Sequence, residues 1–289
     1  APSSGGVLLV QILNMLEAYN LNELGWGSAE TVHLMIEAER RAYADRAEHL
    51  GDPDFYDVPS TMLTSKLYAQ HRFADFDPVV ASLSNDIRAG SWPQESLETT
   101  HYSIVDADGN AVAVTTTLNA SYGNKFIVPG AGFLLNNEMD DFSSKANTAN
   151  LYGLLGGLAN KIQPSKRMLS SMTPTVITKD NEVFLVTGSP GGSTIITTVT
   201  QVIVNAIDHN MSIEDAVNSP RFHHQWQPDI IHYEADAITN KALIRLRAMG
   251  HEDLTRSRFS LGDANSIMMI NDSLEGVSDR RNAGGTAGF

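Results

Sequence analysis

The stretch that decides the fold runs from residue 99 to residue 119 and reads TTHYSIVDADGNAVAVTTTLN. Apolar and polar side chains alternate on both sides of Asp108-Gly109, and this dipeptide between alternating segments is a strong hairpin signal. We therefore predict strands over residues 99–105 and 111–117. A two-residue turn would place Thr99 opposite Leu118, with Thr117 and Asn119 beside it, so that these polar side chains cluster at one end of the hairpin.

A second hairpin is predicted over residues 175–187, with its turn at Asp180-Asn181. If the pairing of its strands continues past them, Ser170 faces Gly191 and Ser171 faces Pro190. Two hydroxyl groups would then lie against a glycine-rich loop.

That loop, residues 188–193, reads GSPGGS and leads into an apolar segment, residues 195–207, with helical spacing. Exposed N–H groups at the start of a helix bind anions and suit an oxyanion hole. The N–H groups of Gly191 and Gly192 are therefore candidates for that role. Between the hairpins, residues 136–142 read NNEMDDF, and carboxylates there are candidates for binding a substrate ammonium group.

The remaining segments fit an α+β protein with helices on the faces of a sheet-bearing core. A helix is predicted to begin after Ser28, an N-cap, and to run to about Leu50, where Gly51 would stop it. Residues 73–97 have weak periodicity and predict an extended, poorly packed connector. Further helices are predicted over residues 7–16, 212–217 and 241–249, and a strand over 266–270.

Composition limits the possible functions. The chain has 289 residues, 42% of them hydrophobic, which is enough for a large core. The net charge of -14 argues against nucleic acid and anionic membrane surfaces as partners. There are no cysteines, which excludes disulfides and thiolate metal sites. No apolar run approaches the roughly 18 residues of a membrane-spanning helix.

Three motifs that suggest a metal or cofactor have simpler explanations. His223 and His224 are adjacent, so they point in different directions, and no third zinc ligand is spaced nearby. Asp52-Pro53-Asp54 lacks the ligand series of a calcium loop. The GSPGGS loop lacks the lysine of a phosphate-binding loop. We therefore expect no metal and no cofactor.

The motifs in their order resemble the γ-glutamyltransferase family, also called γ-glutamyltranspeptidase, of the N-terminal-nucleophile hydrolase superfamily. The resemblance covers essentially the whole chain. It rests on residues 2–6 (PSSGG), 43–46 (YADR), 51–55 (GDPDF), 99–103 (TTHYS), 136–142 (NNEMDDF), 169–174 (LSSMTP), 188–193 (GSPGGS), 221–226 (RFHHQW) and 278–279 (SD).

This resemblance implies a four-layer αββα sandwich and a precursor that cuts itself at Glu98–Thr99. Residues 1–98 would be the C-terminal part of a large subunit, and residues 99–289 a small catalytic subunit that begins at its nucleophile. The implied reaction is cleavage of γ-glutamyl amides such as glutathione, with transfer of the γ-glutamyl group to water or to an amino acid or peptide acceptor. A periplasmic or extracellular location is also implied.

The resemblance also assigns roles to individual residues. Thr99 would be the nucleophile, oriented by Thr117, and Gly191 and Gly192 would form the oxyanion hole. The other expected roles are binding of the glutamyl α-ammonium by Asn119, Glu138 and Asp141, binding of its carboxylate by Ser170 and Ser171, and gating by Tyr152 on a lid loop, residues 143–155.

Some departures leave alternatives open. The family's carboxylate-binding arginine falls in a part of the large subunit that this sequence does not include. Bacterial members often have Gln at the position of Glu98, and the family often has Arg at the position of Thr194. A related glutaryl or cephalosporin acylase of the same fold is one alternative. An uncut, inactive homologue is another. The retained Glu138 and Asp141 favour γ-glutamyl over glutaryl substrates, because glutaryl has no α-ammonium group.

Overall fold

The computed structural model describes residues 2–87, 99–143, 150–151, 153–271 and 273–288. Glu98, Tyr152 and residues 144–149 of the expected lid lie outside the described residues. The helices are Gly5–Leu16 (α1), Leu21–Leu24 (α2), Ala29–His49 (α3), Ser60–Leu63 (α4), Lys66–Arg72 (α5), Thr194–Ile207 (α6), Ile213–Asn218 (α7) and Asn240–Met249 (α8). The strands are Thr100–Val105 (β1), Ala111–Thr116 (β2), Thr175–Lys179 (β3), Glu182–Thr187 (β4), Phe222–His223 (β5), Ile231–Tyr233 (β6), Leu254–Arg256 (β7), Ser266–Ile270 (β8) and Ser273–Val277 (β9).

The sheets form the centre of the molecule. Strands β3, β4, β8 and β9 pair in that order, and the β1–β2 hairpin contacts β3, β4 and β8, so that two sheets face each other. Helices α1, α6 and α7 cover the larger sheet, where Leu9, Leu185 and Val199 share one apolar cluster. The α+β class is confirmed. The described residues form three layers: the helices α1, α6 and α7, then the four-stranded sheet, then the β1–β2 hairpin. No described helix combines the length and hydropathy that a membrane crossing requires.

The predicted helices are present with the expected caps in most cases. Ser28 accepts a hydrogen bond from the N–H of Thr31 at the start of α3, and Gly250 ends α8 with a φ of 106°. Gly51 does not end α3 by a left-handed turn, because Leu50 is the C-cap and is extended. A glycine is needed at position 51 for another reason: a Cβ there would lie 2.1 Å from the carbonyl oxygen of Ala159.

The first hairpin has a different register from the predicted one. Thr100 pairs with Thr116, so Thr99 lies beside Thr117 and not opposite Leu118. The cause is the Asp106 side chain, which accepts hydrogen bonds from the N–H groups of Asp108 and Asn110 and widens the turn. The slip strengthens the cluster, because it brings Thr99 directly against Thr117.

The second hairpin departs from a regular register as well. Its turn is the predicted one, since Asp180 and Asn181 both have positive φ values of 54° and 68°. A bulge between Ile177 and Thr178 then shifts the pairing, and the ladder begins at Thr175. The expected pairing of Ser170 with Gly191 is therefore wrong as a strand pairing.

The described part of the connector, residues 73–87, is not poorly packed. The rings of Phe73 and Phe76 stack with centroids 4.7 Å apart. Ser84 is buried, and its carbonyl oxygen accepts a hydrogen bond of 2.9 Å from the indole of Trp226. Serine, aspartate and proline produce an irregular path here, and tertiary contacts still bury it. Residues 88–97 lie outside the described residues.

Candidate active site

A pair of threonines marks the end of the first hairpin. The Thr99 hydroxyl lies 3.4 Å from the Thr117 hydroxyl, to which it donates. Thr117 in turn accepts a hydrogen bond of 2.8 Å from the N–H of Asn119. Asn119 is buried and has a φ of 74°, a conformation that asparagine tolerates better than most residues. This chain of contacts fixes the position of the Thr99 side chain relative to the backbone.

The segment after β2 brings the acidic cluster to the same place. The N–H of Asn137 donates to the carbonyl oxygen of Leu118, and the Asn137 side chain accepts from the N–H of Ala120. A short 3-10 turn, Glu138–Asp141, follows directly. Because the two segments are joined at this point, Asp141 lies on the wall of a cavity that Thr99 and Asn119 also line.

Asp141 has a strongly altered acidity. Burial raises its pKa to about 7, and the nearby charge of Arg46 opposes that rise. One carboxyl oxygen accepts a hydrogen bond of 3.2 Å from the Asn150 side chain. Burial also raises the pKa of Glu138, but the Glu138 side chain is not among those that line the Thr99 cavity. Of the two predicted ammonium ligands on this turn, only Asp141 therefore lies on the cavity wall.

The two serines reach the cavity through a contact that the sequence did not indicate. The N–H and hydroxyl of Ser4, just before α1, both donate to the carbonyl oxygen of Ser170. Ser170, Ser171 and Gly192 all line the Thr99 cavity. The expected neighbourhood is thus present, although it is produced by contact with the first residues of the chain and not by strand pairing.

The glycine loop presents backbone donors at the start of α6. Gly191 has a φ of 134°, and a Cβ there would lie 2.4 Å from the Thr194 hydroxyl. The carbonyl of Gly191 is occupied by Thr194, which donates to it from both its N–H and its hydroxyl. Within the described residues, the N–H groups of Gly191 and Gly192 have no acceptor. Two donors at a helix N-terminus are the groups that stabilise an oxyanion.

Arg46, on α3, is a cavity residue to which sequence reasoning assigned no role. It is buried, and it donates 3.0 Å to the Ser4 hydroxyl and 3.2 Å to the Ser171 hydroxyl. Burial lowers its pKa to about 10, so it remains charged at neutral pH. The resemblance includes Arg46 in the motif of residues 43–46 (YADR), unlike Arg40 and Arg41, but it gives Arg46 no role in the site.

The motifs set aside as metal sites have structural partners. His223 contacts the Thr197 hydroxyl, whereas His224 contacts Asp229, so the two rings serve different elements. Asp52 forms an ion pair with Arg167.

Among the described residues, His33, Glu37 and His251 lie close enough together to suggest a metal site. Both Glu37 oxygens are already bound by Arg40 and Arg41, and the two histidines hydrogen-bond each other at 2.8 Å. The three side chains that could bind a metal are therefore already engaged in ion pairs or hydrogen bonds with protein groups.

Known proteins match this chain along its whole length. The family model described as "Gamma-glutamyltranspeptidase" matches residues 1–289. The "Glutathione hydrolase proenzyme" of Escherichia coli (strain K12) is 50% identical over 291 residues, which cover 100% of this chain and 50% of that protein. The chain therefore spans about half the length of the curated relatives that it matches.

Solved structures give the same result for the fold. A chain of gamma-glutamyltranspeptidase from Pseudomonas nitroreducens, complexed with L-DON, is 48% identical with a TM-score of 0.63, and the match covers 66% of this chain and 99% of that one. Cephalosporin acylase from Bacillus halodurans is 21% identical, with a TM-score of 0.80 over 99% of this chain and 49% of its own. The second likeness extends to the fold alone.

Proposed function

Since the chain belongs to the γ-glutamyltranspeptidase family, we propose that it cleaves γ-glutamyl amides, glutathione among them, with Thr99 as the nucleophile. The observation that carries this proposal is the position of the Thr99 hydroxyl, which lies against Thr117 in a cavity shared with Asp141, Ser170 and Gly192. No metal or cofactor enters the reaction that we propose.

The first step is release of the Thr99 amine by cleavage of the Glu98–Thr99 peptide bond. A free α-amine titrates at about 7.7–8.0, so it acts as a base at neutral pH beside its own hydroxyl. Residues 1–98 then remain as the end of a large subunit, and residues 99–289 form the small subunit. The share of the chain matched by the Pseudomonas nitroreducens structure, 66%, equals the share of residues 99–289, which supports this division.

The Thr99 hydroxyl then attacks the γ-glutamyl carbonyl carbon, and the amide nitrogen leaves as an amine. The negative charge that develops on the carbonyl oxygen is stabilised by the N–H groups of Gly191 and Gly192. Loss of one such donor costs about 2.7–4 kcal/mol of barrier in other enzymes. The resulting ester is released by water or by an acceptor amine.

Donor recognition divides between the two ends of the glutamyl group. Asp141 and Asn119 bind the α-ammonium, and Glu138, on the same turn as Asp141 but not on the cavity wall, adds negative charge. Ser170 and Ser171 bind the α-carboxylate, and Arg46 contributes positive charge next to Ser171. Tyr152 and the rest of the lid would cover the bound donor. By its family membership the protein acts in the periplasm or outside the cell.

Substitution of Thr99 by alanine tests the proposal. In the full-length protein, Thr99→Ala should leave an uncut chain and no cleavage of γ-glutamyl anilide, whereas its exposed neighbour variant, Thr100→Ala, should be cut and active. Intact-mass measurement and release of the aniline report the two results. A cut and active Thr99→Ala protein would refute the assignment. Faster turnover of glutaryl anilide than of γ-glutamyl anilide by the wild type would favour the acylase alternative.

A further inference from the structure

A buried asparagine joins two segments of the wall of the Thr99 cavity. The side-chain nitrogen of Asn160 donates 2.6 Å to the main-chain carbonyl oxygen of Asp141, and its side-chain oxygen accepts 3.0 Å from the N–H of Leu169. Asp141 and Leu169 both line the cavity, whereas Asn160 is not among the lining residues and is only 4% exposed. One amide thus connects the acidic turn to the segment that carries the two serines.

The two partners of this amide determine which side chain can stand at position 160. One partner is a carbonyl oxygen and needs a donor, and the other is an N–H group and needs an acceptor. An ionised aspartate of the same length has no donor, and a leucine of similar size has neither a donor nor an acceptor. The site therefore requires the amide of asparagine, and this requirement comes from main-chain groups of the cavity wall.

Further hydrogen bonds hold the main chain around Asn160 in place. Its carbonyl oxygen accepts 2.9 Å from the N–H of Ser143, where the expected lid begins. On the side of the serines, the buried Lys166 ammonium donates 2.9 Å to the carbonyl oxygen of Ala159. The main chain at residues 159–160 is therefore tied to both segments of the wall, and hydrogen bonds set the spacing between these segments.

In the function proposed above, the two segments bind two groups of the same small head group. The α-ammonium and the α-carboxylate of a γ-glutamyl donor are attached to one carbon, so their separation is fixed. Protein groups that bind both must keep a matching separation, and sites of this kind tolerate errors of about 0.5 Å. A change in the distance between Asp141 and the serines would weaken one of the two contacts.

We propose that Asn160 is a positioning residue that sets the separation of the α-ammonium and α-carboxylate sites, and so gives the cavity its preference for an α-amino acid head group. The inference rests on the proposed function and adds to it a residue that does not touch the substrate. A ligand without the α-ammonium, such as glutarate, uses only one of the two sites. Asn160 should therefore affect the binding of glutamate more than the binding of glutarate.

The ratio of two inhibition constants tests this role in the full-length protein. Competitive inhibition of γ-glutamyl anilide cleavage is measured with glutarate and with glutamate, and the ratio of the two constants gives the preference for the α-ammonium group. In Asn160→Ala this preference should fall about tenfold, the scale of one lost hydrogen bond to a charged group. The thermal midpoint, measured alongside, reports the loss of stability separately.

Asn205→Ala is the matched control. Asn205 is also buried, and its side chain donates 3.3 Å to the carbonyl oxygen of Ala216, which joins α6 to α7. Neither residue is among those that line the cavity. Asn205→Ala should lower the thermal midpoint and leave the preference for glutamate unchanged. If Asn160 had only a structural role, Asn160→Ala would give the same result as this control.

A second variant keeps the test decisive if Asn160→Ala does not fold. Asn160→Gln retains a donor and an acceptor on a side chain that is one methylene longer, so it changes the spacing and keeps the means of joining the segments. It should reduce the preference for glutamate severalfold, with a smaller loss of thermal midpoint than Asn160→Ala. A wild-type preference in either variant would overturn the role of Asn160. Equal binding of glutamate and glutarate by the wild type, or no cleavage of γ-glutamyl anilide, would instead overturn the proposed function.

Discussion

Two arginines of the same helix have opposite surroundings. Arg41 donates to Glu37 at 2.6 Å and to Asp75 at 2.9 Å, and its guanidinium lies 5.4 Å from the centre of the Phe73 ring. Arg46, little more than one turn further along α3, donates to two serine hydroxyls and forms no ion pair within the described residues. Both are buried. Carboxylates of the fold neutralise the charge of Arg41, whereas the charge of Arg46 remains available to a ligand.

The same difference distinguishes the two regions to which these arginines belong. Around Arg41, each carboxylate meets a cation, and the contacts join α3 to the segment that follows α5. Around Arg46, the cavity holds Asp141, a carboxyl group with a raised pKa, and Gly192, whose N–H has no acceptor among the described residues. A carboxyl group with a perturbed pKa and an unpaired donor at one cavity indicate binding and catalysis more than folding.

Removal of Arg41 should have the larger effect on stability. Arg41→Met leaves one oxygen of the buried Glu37 carboxylate without its cation, and such a loss costs about 3 kcal/mol or more. The thermal midpoint should fall on the order of 6–12 °C, given about 2–4 °C per kcal/mol for chains of this size. Scanning calorimetry measures it. Arg245→Met, which breaks an exposed pair with Glu30, should shift the midpoint by much less. If the thermal midpoint of Arg41→Met equalled that of the wild type, Arg41 would not have the stabilising role that distinguishes it here from Arg46.

Removal of Arg46 should reverse the pattern. A buried charge without an ion-pair partner does not stabilise the fold, so Arg46→Met should leave the thermal midpoint nearly unchanged. The KM for a γ-glutamyl donor should rise roughly tenfold, because Ser171 loses its donor and the α-carboxylate loses a nearby cation. Steady-state kinetics of the full-length protein would measure it, and Arg46→Lys should recover part of the loss. A large drop in midpoint with an unchanged KM would show that Arg46 has the same role as Arg41.

Much of the fold could be predicted from local patterns. The positions of the two hairpins, the N-cap at Ser28 and the apolar spacing of α6 each depend on residues close together in the chain, and these predictions are confirmed. The errors arose where a side chain or a distant strand changed the geometry. Asp106 widened one turn, and β4 contains a bulge while it also pairs with β8, which lies far along the chain.

Hairpin pairing predicted part of the site, and the family resemblance named most of its other residues. The clustering of Thr99 with Thr117 followed from hairpin pairing, even with the register shifted by one residue. The role of Arg46 could not be identified in this way, because it depends on which of its neighbours are already paired. The motif of residues 43–46 marks Arg46 in the sequence, but only its hydrogen-bond partners show that, within the described residues, no carboxylate pairs with it as Glu37 pairs with Arg41.

The last prediction tests Asp141, which lines the same cavity as Arg46. A carboxyl group whose pKa is raised to about 7 is mostly protonated below pH 7, and only its ionised form attracts the donor α-ammonium. Donor affinity should therefore fall as the pH drops below 7, approaching tenfold per pH unit, and level off above it. The inhibition constant of glutamate as a competitive inhibitor, measured between pH 5 and 9, reports this affinity. Titration of the Thr99 amine affects turnover and so does not enter this measurement directly.

Two variants at this turn make the interpretation specific. Asp141→Asn should bind glutamate weakly at all pH values, with a flat profile. Asp140→Asn should keep a titrating curve with its midpoint moved to lower pH, because the negative charge of Asp140 helps to raise the pKa of Asp141. In Arg46→Met the midpoint of the curve should move to higher pH, since the positive charge that lowers the pKa of Asp141 is absent. A curve that keeps its midpoint in Arg46→Met would mean that the two charges do not interact, and the contrast between the two arginines would then lose its electrostatic basis.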